Sequence, residues 1–446
     1  MTQAADAPPD ATADAPPNTV GPFRGVRSLV ERALSDPALA IADQAAVSGT
    51  RFVTTVTVGR FAGAEELGVY ALATAGLILA GCVQESIVTK PYTVLRTGRG
   101  DRRYAGSALA FHLLFGLGLA GALLIAAAVC GAAGAPGAGL VLACLAGVAP
   151  LTLLWEFARR MSFAHLRFRS ALAVDGGLGA LQLSGLAALA LAGSLNALTA
   201  LAVVGAAAAL AGGTWLALRR RQFAPRRTRL RSDWGRNWRF GRWVLAGQLC
   251  GTSANGAPQW ILAATAGVAA AGLYAGAQNV VLLCNPLILA MASLLVPQTA
   301  EARRSGGTAA VRRVVLRAAA LLAAVAGLFW LGLLLFGGTL LRQIYGAEFA
   351  GAGSAIRVLG LAPLAWSFIV AFEAGLSAID RPDLSFRAIL VGLIVTAAGA
   401  AALSGPFGPA GAAAGLALGA AVSAAVLAFD FLRLTSIAAA VPPESV

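Results

Sequence analysis

Apolar residues run along this chain in blocks of about twenty, and the polar residues collect between the blocks. An α-helix needs ~20 residues to cross the hydrocarbon core of a bilayer, so the pattern predicts membrane-spanning helices. Twelve are predicted, over 38–58, 67–89, 106–129, 138–158, 171–193, 196–218, 243–263, 267–295, 314–336, 354–378, 387–404 and 410–432. The fifth and sixth are separated only by Gly193, Ser194, Leu195 and Asn196. A break is required there, because one unbroken helix would far exceed the thickness of a bilayer.

Composition supports an integral membrane protein. Only 12% of the 446 residues are charged, against about a quarter in a soluble domain, and 58% are hydrophobic. The five cysteines all lie in apolar segments, are odd in number and show no CxxC spacing, so no disulfide framework or zinc site is predicted. His112 and His165 read as helix-lining or interfacial side chains. Met1 to Pro17 lacks a basic region and is rich in Ala, Pro and Asp, which predicts a disordered cytoplasmic tail rather than a signal peptide.

The net charge of +14 would point to nucleic acid if it lined a soluble face, but here the arginines sit in bursts between apolar runs. Thirty of the 34 Lys and Arg residues fall in the terminal segments and the even-numbered loops, ten of them between Arg219 and Arg242. Arg60, Arg342 and Arg357 are on the other side, and Arg51 is inside the first span. Both termini are therefore expected in the cytoplasm. Val26, Leu29, Val30 and Leu34 predict a short interfacial helix before the first span. Trp234, Trp238 and Trp243 among Arg236, Arg239 and Arg242 predict interfacial anchoring to membrane lipids.

The halves of the chain match at an offset of 204 residues. Gly63, Gly68, Tyr70, Ala71 and Ala73 recur as Gly267, Gly272, Tyr274, Ala275 and Ala277. The same offset carries Gln44, Ser48, Arg51 and Thr55 onto Gln248, Thr252, Asn255 and Gln259 without a gap. Six crossings per half is an even number, so the halves run parallel, related by a pseudo-twofold axis along the membrane normal. The predicted organisation is a tail with its interfacial helix (1–37), an N-lobe (38–218), a basic linker (219–242), a C-lobe (243–432) and a cytoplasmic tail (433–446).

Gln44, Ser48, Arg51 and Thr55 are spaced to share one face of the first helix, and Gln248, Thr252, Asn255 and Gln259 repeat that face on the seventh. Two polar stripes, one per lobe, predict a shared watery cleft; the competing reading is interhelical hydrogen bonding within each lobe. Arg51 favours the cleft, since a guanidinium deep in a span costs at least ~2.5 kcal/mol to insert unless it faces water or an anion. Asp43, beside the stripe, and Glu373, deep in the tenth span, are the candidates for ion coupling. Glu156, Asp175 and Asp430 read as interfacial partners of nearby arginines, and Glu85 and Lys90, towards the cytoplasmic end of the second span, as either snorkelling or functional residues.

The segment from Arg60 to Ala73 resembles the first helix-to-helix loop of the polysaccharide exporters in the multidrug/oligosaccharidyl-lipid/polysaccharide (MOP) superfamily. Their pattern is approximately Arg-x-Leu-Gly-Pro-Glu-Glu-aromatic-Gly-x-Tyr-x-x-Ala. Arg60, Gly63, Glu66, Gly68 and Tyr70 match it, while Ala62, Ala64 and Leu67 depart from it. The resemblance implies an all-α polytopic membrane protein of twelve transmembrane helices in two parallel six-helix lobes, like multidrug and toxin extrusion (MATE) transporters. It further implies a flippase that carries isoprenoid-pyrophosphate-linked oligosaccharide across the bacterial inner membrane by alternating access, with Arg51 as a cleft cation. Such a protein acts as a monomer beside polysaccharide polymerase and glycosyltransferases, with no cofactor, metal or nucleic acid and no covalent chemistry. The alternatives are a cation-coupled multidrug antiporter, a membrane glycosyltransferase or polymer ligase, and a non-transporting scaffold. An antiporter would prefer an acidic centre, and a transferase a sizeable external loop, whereas every external loop here is short.

Overall fold

A computed structural model of the chain describes residues 36–96 and 102–440. The tail and interfacial helix expected before residue 36, and residues 441–446, lie outside them. The regular elements among these residues are all helical. They are α1 (Asp36–Gln84), a π-helical turn (Glu85–Thr89), α2 (Lys90–Leu95), α3 (Arg102–Ala132), α4 (Pro136–Ala164), α5 (Phe168–Leu191) and α6 (Ala197–Arg219). There follow α7 (Arg227–Ala266), α8 (Val268–Val281), α9 (Asn285–Tyr345), α10 (Gly353–Leu359), α11 (Leu361–Ala378) and α12 (Pro382–Ala440).

Eight helical stretches among the described residues are long and apolar enough to cross a membrane. Three of these are pairs of crossings joined without a loop, for α1 breaks at Gly63, α9 at Gly306 and Gly307, and α12 at Gly408. The second half of α7, which carries the polar stripe and is not among those eight, supplies another crossing by its place beside α1 and α8, and α8 extends the first half of α9. The architecture is therefore consistent with twelve crossings. Between α5 and α6 the break is enforced chemically. Asn196 caps α6 by accepting from the Thr199 amide at 2.9 Å, and Thr199 Oγ1 accepts from the Asn196 amide at 2.9 Å.

The basic stretch from 219 to 242 is more ordered than its charge predicts, since α7 begins at Arg227 and runs on to Ala266. Its buried residues Asp233, Asn237 and Gly241 recur every fourth position and dock on the N-terminal half. Ser107 Oγ donates to Asp233 at 2.7 Å, Tyr104 OH donates to Asn237 Oδ1 at 2.7 Å, and Asn237 Nδ2 donates to Ile87 O at 3.3 Å. Arg226, Arg229, Arg231, Trp238, Arg239 and Arg242 stay exposed on the other side.

In the N-terminal half α1 packs on α4, α5 and α6, and α3 and α6 pack on α4; in the C-terminal half α9 packs on α11, and α7, α10 and α11 on α12. The halves meet where α1 crosses α7 and α8. Inside a bilayer apolar side chains gain little by leaving lipid, so close backbone approach and hydrogen bonds must hold the halves together. The turns at Gly63 (φ 91, ψ 177) and Gly267 (φ 91, ψ 167) share one backbone conformation that only glycine adopts readily. Just beyond them the helices touch reciprocally. A Cβ on Gly68 would overlap Val268 O, and one on Gly272 would overlap Ala64 O. Since Val268 and Gly272 correspond to Ala64 and Gly68, this is the exchange pattern of two equivalent surfaces facing each other across a twofold axis.

Candidate functional site

A cavity of about 480 Å³ lies between the halves. Its N-terminal wall carries Arg51 and Thr55 of α1, Tyr70 from beyond the Gly63 break, and Glu156 and Arg160 of α4; its C-terminal wall carries Gln248, Thr252 and Gln259 of α7 with Gln278 and Asn279 of α8. Of the two stripes, Arg51, Thr55, Gln248, Thr252 and Gln259 thus come together on one space. Gln44 and Ser48 do not line it: Gln44 Nε2 donates to Ser48 Oγ at 3.3 Å, and Gln44 Oε1 accepts from Arg159 at 3.2 Å. Asn255 is also off the cavity, its Nδ2 donating to Gly251 O at 2.9 Å. The members of the stripes thus divide between lining the cavity and hydrogen bonding within their own half.

The guanidinium of Arg51 is exposed and has no hydrogen-bond or ion-pair partner among the described residues. The other arginine of the wall, Arg160, is engaged by Glu156 at 2.8 Å and Glu85 at 3.0 Å, and Glu85 also pairs with Lys90 at 3.5 Å.

Glu156 and Asp175, which both line the cavity, belong to an ion cluster built on Arg159, whose reach to Asp43 sequence reasoning missed. Arg159, 8% exposed, lies 3.2 Å from Asp43, 2.7 Å from Asp175 and 3.7 Å from Glu156. Asp175 additionally accepts from Trp155 Nε1 at 2.7 Å. Asp43 and Asp175 are almost wholly buried, so Asp175 is a core residue rather than an interfacial one, and Asp43 is held by Arg159. The four acids Asp43, Glu85, Glu156 and Asp175 pair directly with three cations, Lys90, Arg159 and Arg160; Arg51, which makes no direct ion pair among the described residues, supplies the fourth positive charge of the wall. Glu373, on α11, does not line the cavity and has no partner among the described residues.

The residues from Arg60 to Tyr70 bind neighbouring helices together around the Gly63 break, on the side where arginines are few. Arg60 Nη1 donates to Gln343 O at 2.7 Å and Ile344 O at 3.0 Å, the last-turn carbonyls of α9, where a cation is favoured. Glu348 Oε2 accepts from the Ala64 amide at 3.2 Å. Glu66 Oε2 accepts from the Ala197 amide at 2.6 Å and so helps to cap α6. Asn279 Nδ2 adds a bond across the halves, donating to Phe52 O at 3.2 Å. Three of these contacts join the halves, and Glu66 ties two helices within one half.

A family model described as polysaccharide biosynthesis protein matches residues 57–353, about two-thirds of the chain. Among solved structures, an inward-facing multidrug resistance MATE family transporter of the MOP superfamily superposes with a TM-score of 0.64 at 18% identity, covering 92% of this chain and 98% of that one. An outward-facing transporter of the same description gives 0.61 at 17%, with coverages of 89% and 94%. A MOP superfamily transporter from Pyrococcus furiosus, described as having a binding pocket of reverse polarity, gives 0.55 at 19%, covering 94% of each chain. A comparison with curated proteins finds no match. The likeness to the solved structures is one of fold.

Proposed function

The chain belongs to the polysaccharide biosynthesis protein family, and on that premise we propose that it is a flippase for an isoprenoid-pyrophosphate-linked oligosaccharide. The observation that carries the reading is Arg51, an unengaged guanidinium facing a cavity between two pseudo-equivalent halves. A pyrophosphate offers oxygens that a planar guanidinium can grip two at a time, replacing the water lost on entry. No covalent step is needed. The halves rock about the bound headgroup, and the contacts of Arg60, Glu348 and Asn279 break and re-form as access alternates.

By the positive-inside rule the arginine-rich face is the cytoplasmic one, with both termini inside, and the flippase reading assigns the protein to a bacterial inner membrane. On the flippase reading its partners are polysaccharide polymerase and glycosyltransferases. A cation-coupled drug antiporter is the weaker reading. It would want an unengaged carboxylate in the cavity, whereas Arg160 holds Glu85 and Glu156, and Arg159 holds Asp43 and Asp175.

The test is reconstitution of the full chain in liposomes with a fluorescent isoprenoid-pyrophosphate saccharide whose exposed fraction is quenched from outside. Wild-type protein should speed equilibration between leaflets, and Arg51→Ala should not. Equal rates for empty and protein-containing vesicles would overturn the proposal.

A further inference from the structure

The two walls of the cavity differ at positions that the internal repeat makes equivalent. The 204-residue offset pairs Thr55 with Gln259, Thr74 with Gln278, and Ala75 with Asn279, and all six line the cavity. In each pair the N-terminal half has a small residue and the C-terminal half a carboxamide. The ionic groups are distributed the other way, with Arg51, Glu85, Glu156, Arg160 and Asp175 all in the N-terminal half.

The amides also hold unused hydrogen-bonding capacity. Gln259 is 5% exposed, and its buried Nε2 has no partner. Gln278 makes no hydrogen bond among the described residues. Asn279 commits its Nδ2 to Phe52 O and to Tyr345 OH, at 3.2 Å and 2.8 Å, and keeps its carbonyl oxygen for another donor. A buried amide without a partner is costly to keep, and a ligand that supplies the missing partner recovers the loss.

The chemistry of the amides decides which part of a ligand they suit. A carboxamide offers a donor and an acceptor side by side, and so does a sugar hydroxyl; a pyrophosphate only accepts, so half of each amide is wasted on it or repels it. A guanidinium has the opposite preference.

Building on the flippase reading, we infer that Gln259, Gln278 and Asn279 form a saccharide subsite on the C-terminal half, opposite the pyrophosphate subsite at Arg51. One bound substrate then bridges the two halves, its sugar on one and the pyrophosphate that joins sugar to isoprenoid on the other. The sugar is recognised by the lobe that carries none of the cavity's charges.

Binding of two probes to the purified full chain tests this: an isoprenyl pyrophosphate with no sugar, and the same lipid carrying a disaccharide. Wild-type protein should bind the disaccharide probe more tightly. Gln259→Leu and Gln278→Leu should each weaken the disaccharide probe by about tenfold, the size of one lost hydrogen bond, and leave the sugar-free probe within about twofold. Arg51→Gln should weaken both probes by a similar factor. Losses from the amide variants that are equal for the two probes, or absent for both, would overturn the saccharide subsite while leaving the flippase reading intact. Binding of both probes unaffected by Arg51→Gln, or no binding of either to wild type, would overturn the flippase reading itself. Should Gln259→Leu fail to fold, Gln278→Leu at its half-buried position carries the same comparison.

Discussion

Gly68 and Gly272 occupy the same place in the two halves of the molecule, and each lies against the residue that begins the other's helix, Val268 for Gly68 and Ala64 for Gly272. The atoms they meet are backbone carbonyls, which cannot swing aside as a side-chain tip would. Gly272→Ala should therefore separate the halves, at a cost of about 1–3 kcal/mol or more. A lower melting temperature with lost transport is the expected result. A variant with unchanged melting and transport would show that the halves are not in register here.

Arg51→Ala should abolish flipping with little change in melting temperature, because the guanidinium faces the cavity and leaves no paired group behind. Arg51→Lys keeps the charge without the planar fork and should retain part of the rate. Asp43→Ala should not rescue Arg51→Ala, since Asp43 is bound to Arg159. Full transport by a stable Arg51→Ala protein would move the anion site elsewhere.

Arg159→Met removes the cation shared by Asp43 and Asp175 and leaves buried carboxylates uncompensated. Breaking a buried pair in this way costs about 3–5 kcal/mol, so a large drop in thermal stability or in folded yield is expected. Asp43→Asn, which keeps an acceptor, should cost less. Equal melting temperatures for wild type and Arg159→Met would contradict the cluster.

Arg60→Ala and Glu348→Gln should loosen the arginine-poor end, where their side chains join the halves. A bond to a charged group contributes about 1.5–3 kcal/mol, enough to change an open-to-closed ratio about tenfold. Spin labels at Phe61 and Ala347 should report a longer distance component in either variant. Identical distance distributions in wild type and both variants would remove these residues from the gate.

His165, at the end of α4 beyond the span, accepts from Arg96 at Nδ1 (3.2 Å), so its Nε2 carries the hydrogen shared with Tyr92 OH at 3.0 Å. Burial, then Arg96, Arg167 and Arg219, push its pKa below the ordinary histidine value. The folded chain thus prefers neutral His165. Its contribution is present above pH ~6.5, the unfolded value, and is lost as pH falls below that towards the lower folded one. Melting temperature should fall on acidification from pH 7.5 to 5.5, and His165→Asn should lessen the fall; an equal fall in wild type and variant would assign it to other groups.

The sequence by itself determined the helical class, the expectation of twelve crossings, the one-sided distribution of arginine and the 204-residue repeat. All of these are written in local hydropathy, charge and spacing, and a bilayer imposes one length rule on every span. It also singled out Arg51 as a cation too costly to leave facing lipid. The tertiary structure alone decided which face of each helix meets the cavity. Gln44, Ser48 and Asn255 share their stripes with Arg51 and Gln259, yet they bond within their own half, because neighbouring helices set how each helix is turned. Arg159 gathered Asp43 from 116 residues away, a separation that no helical periodicity encodes. Gln278 and Asn279 passed unnoticed as amides near the end of an apolar helix. The repeat offset that pairs them with Thr74 and Ala75 was the available signal, and it acquired meaning only when the fold set the two walls face to face.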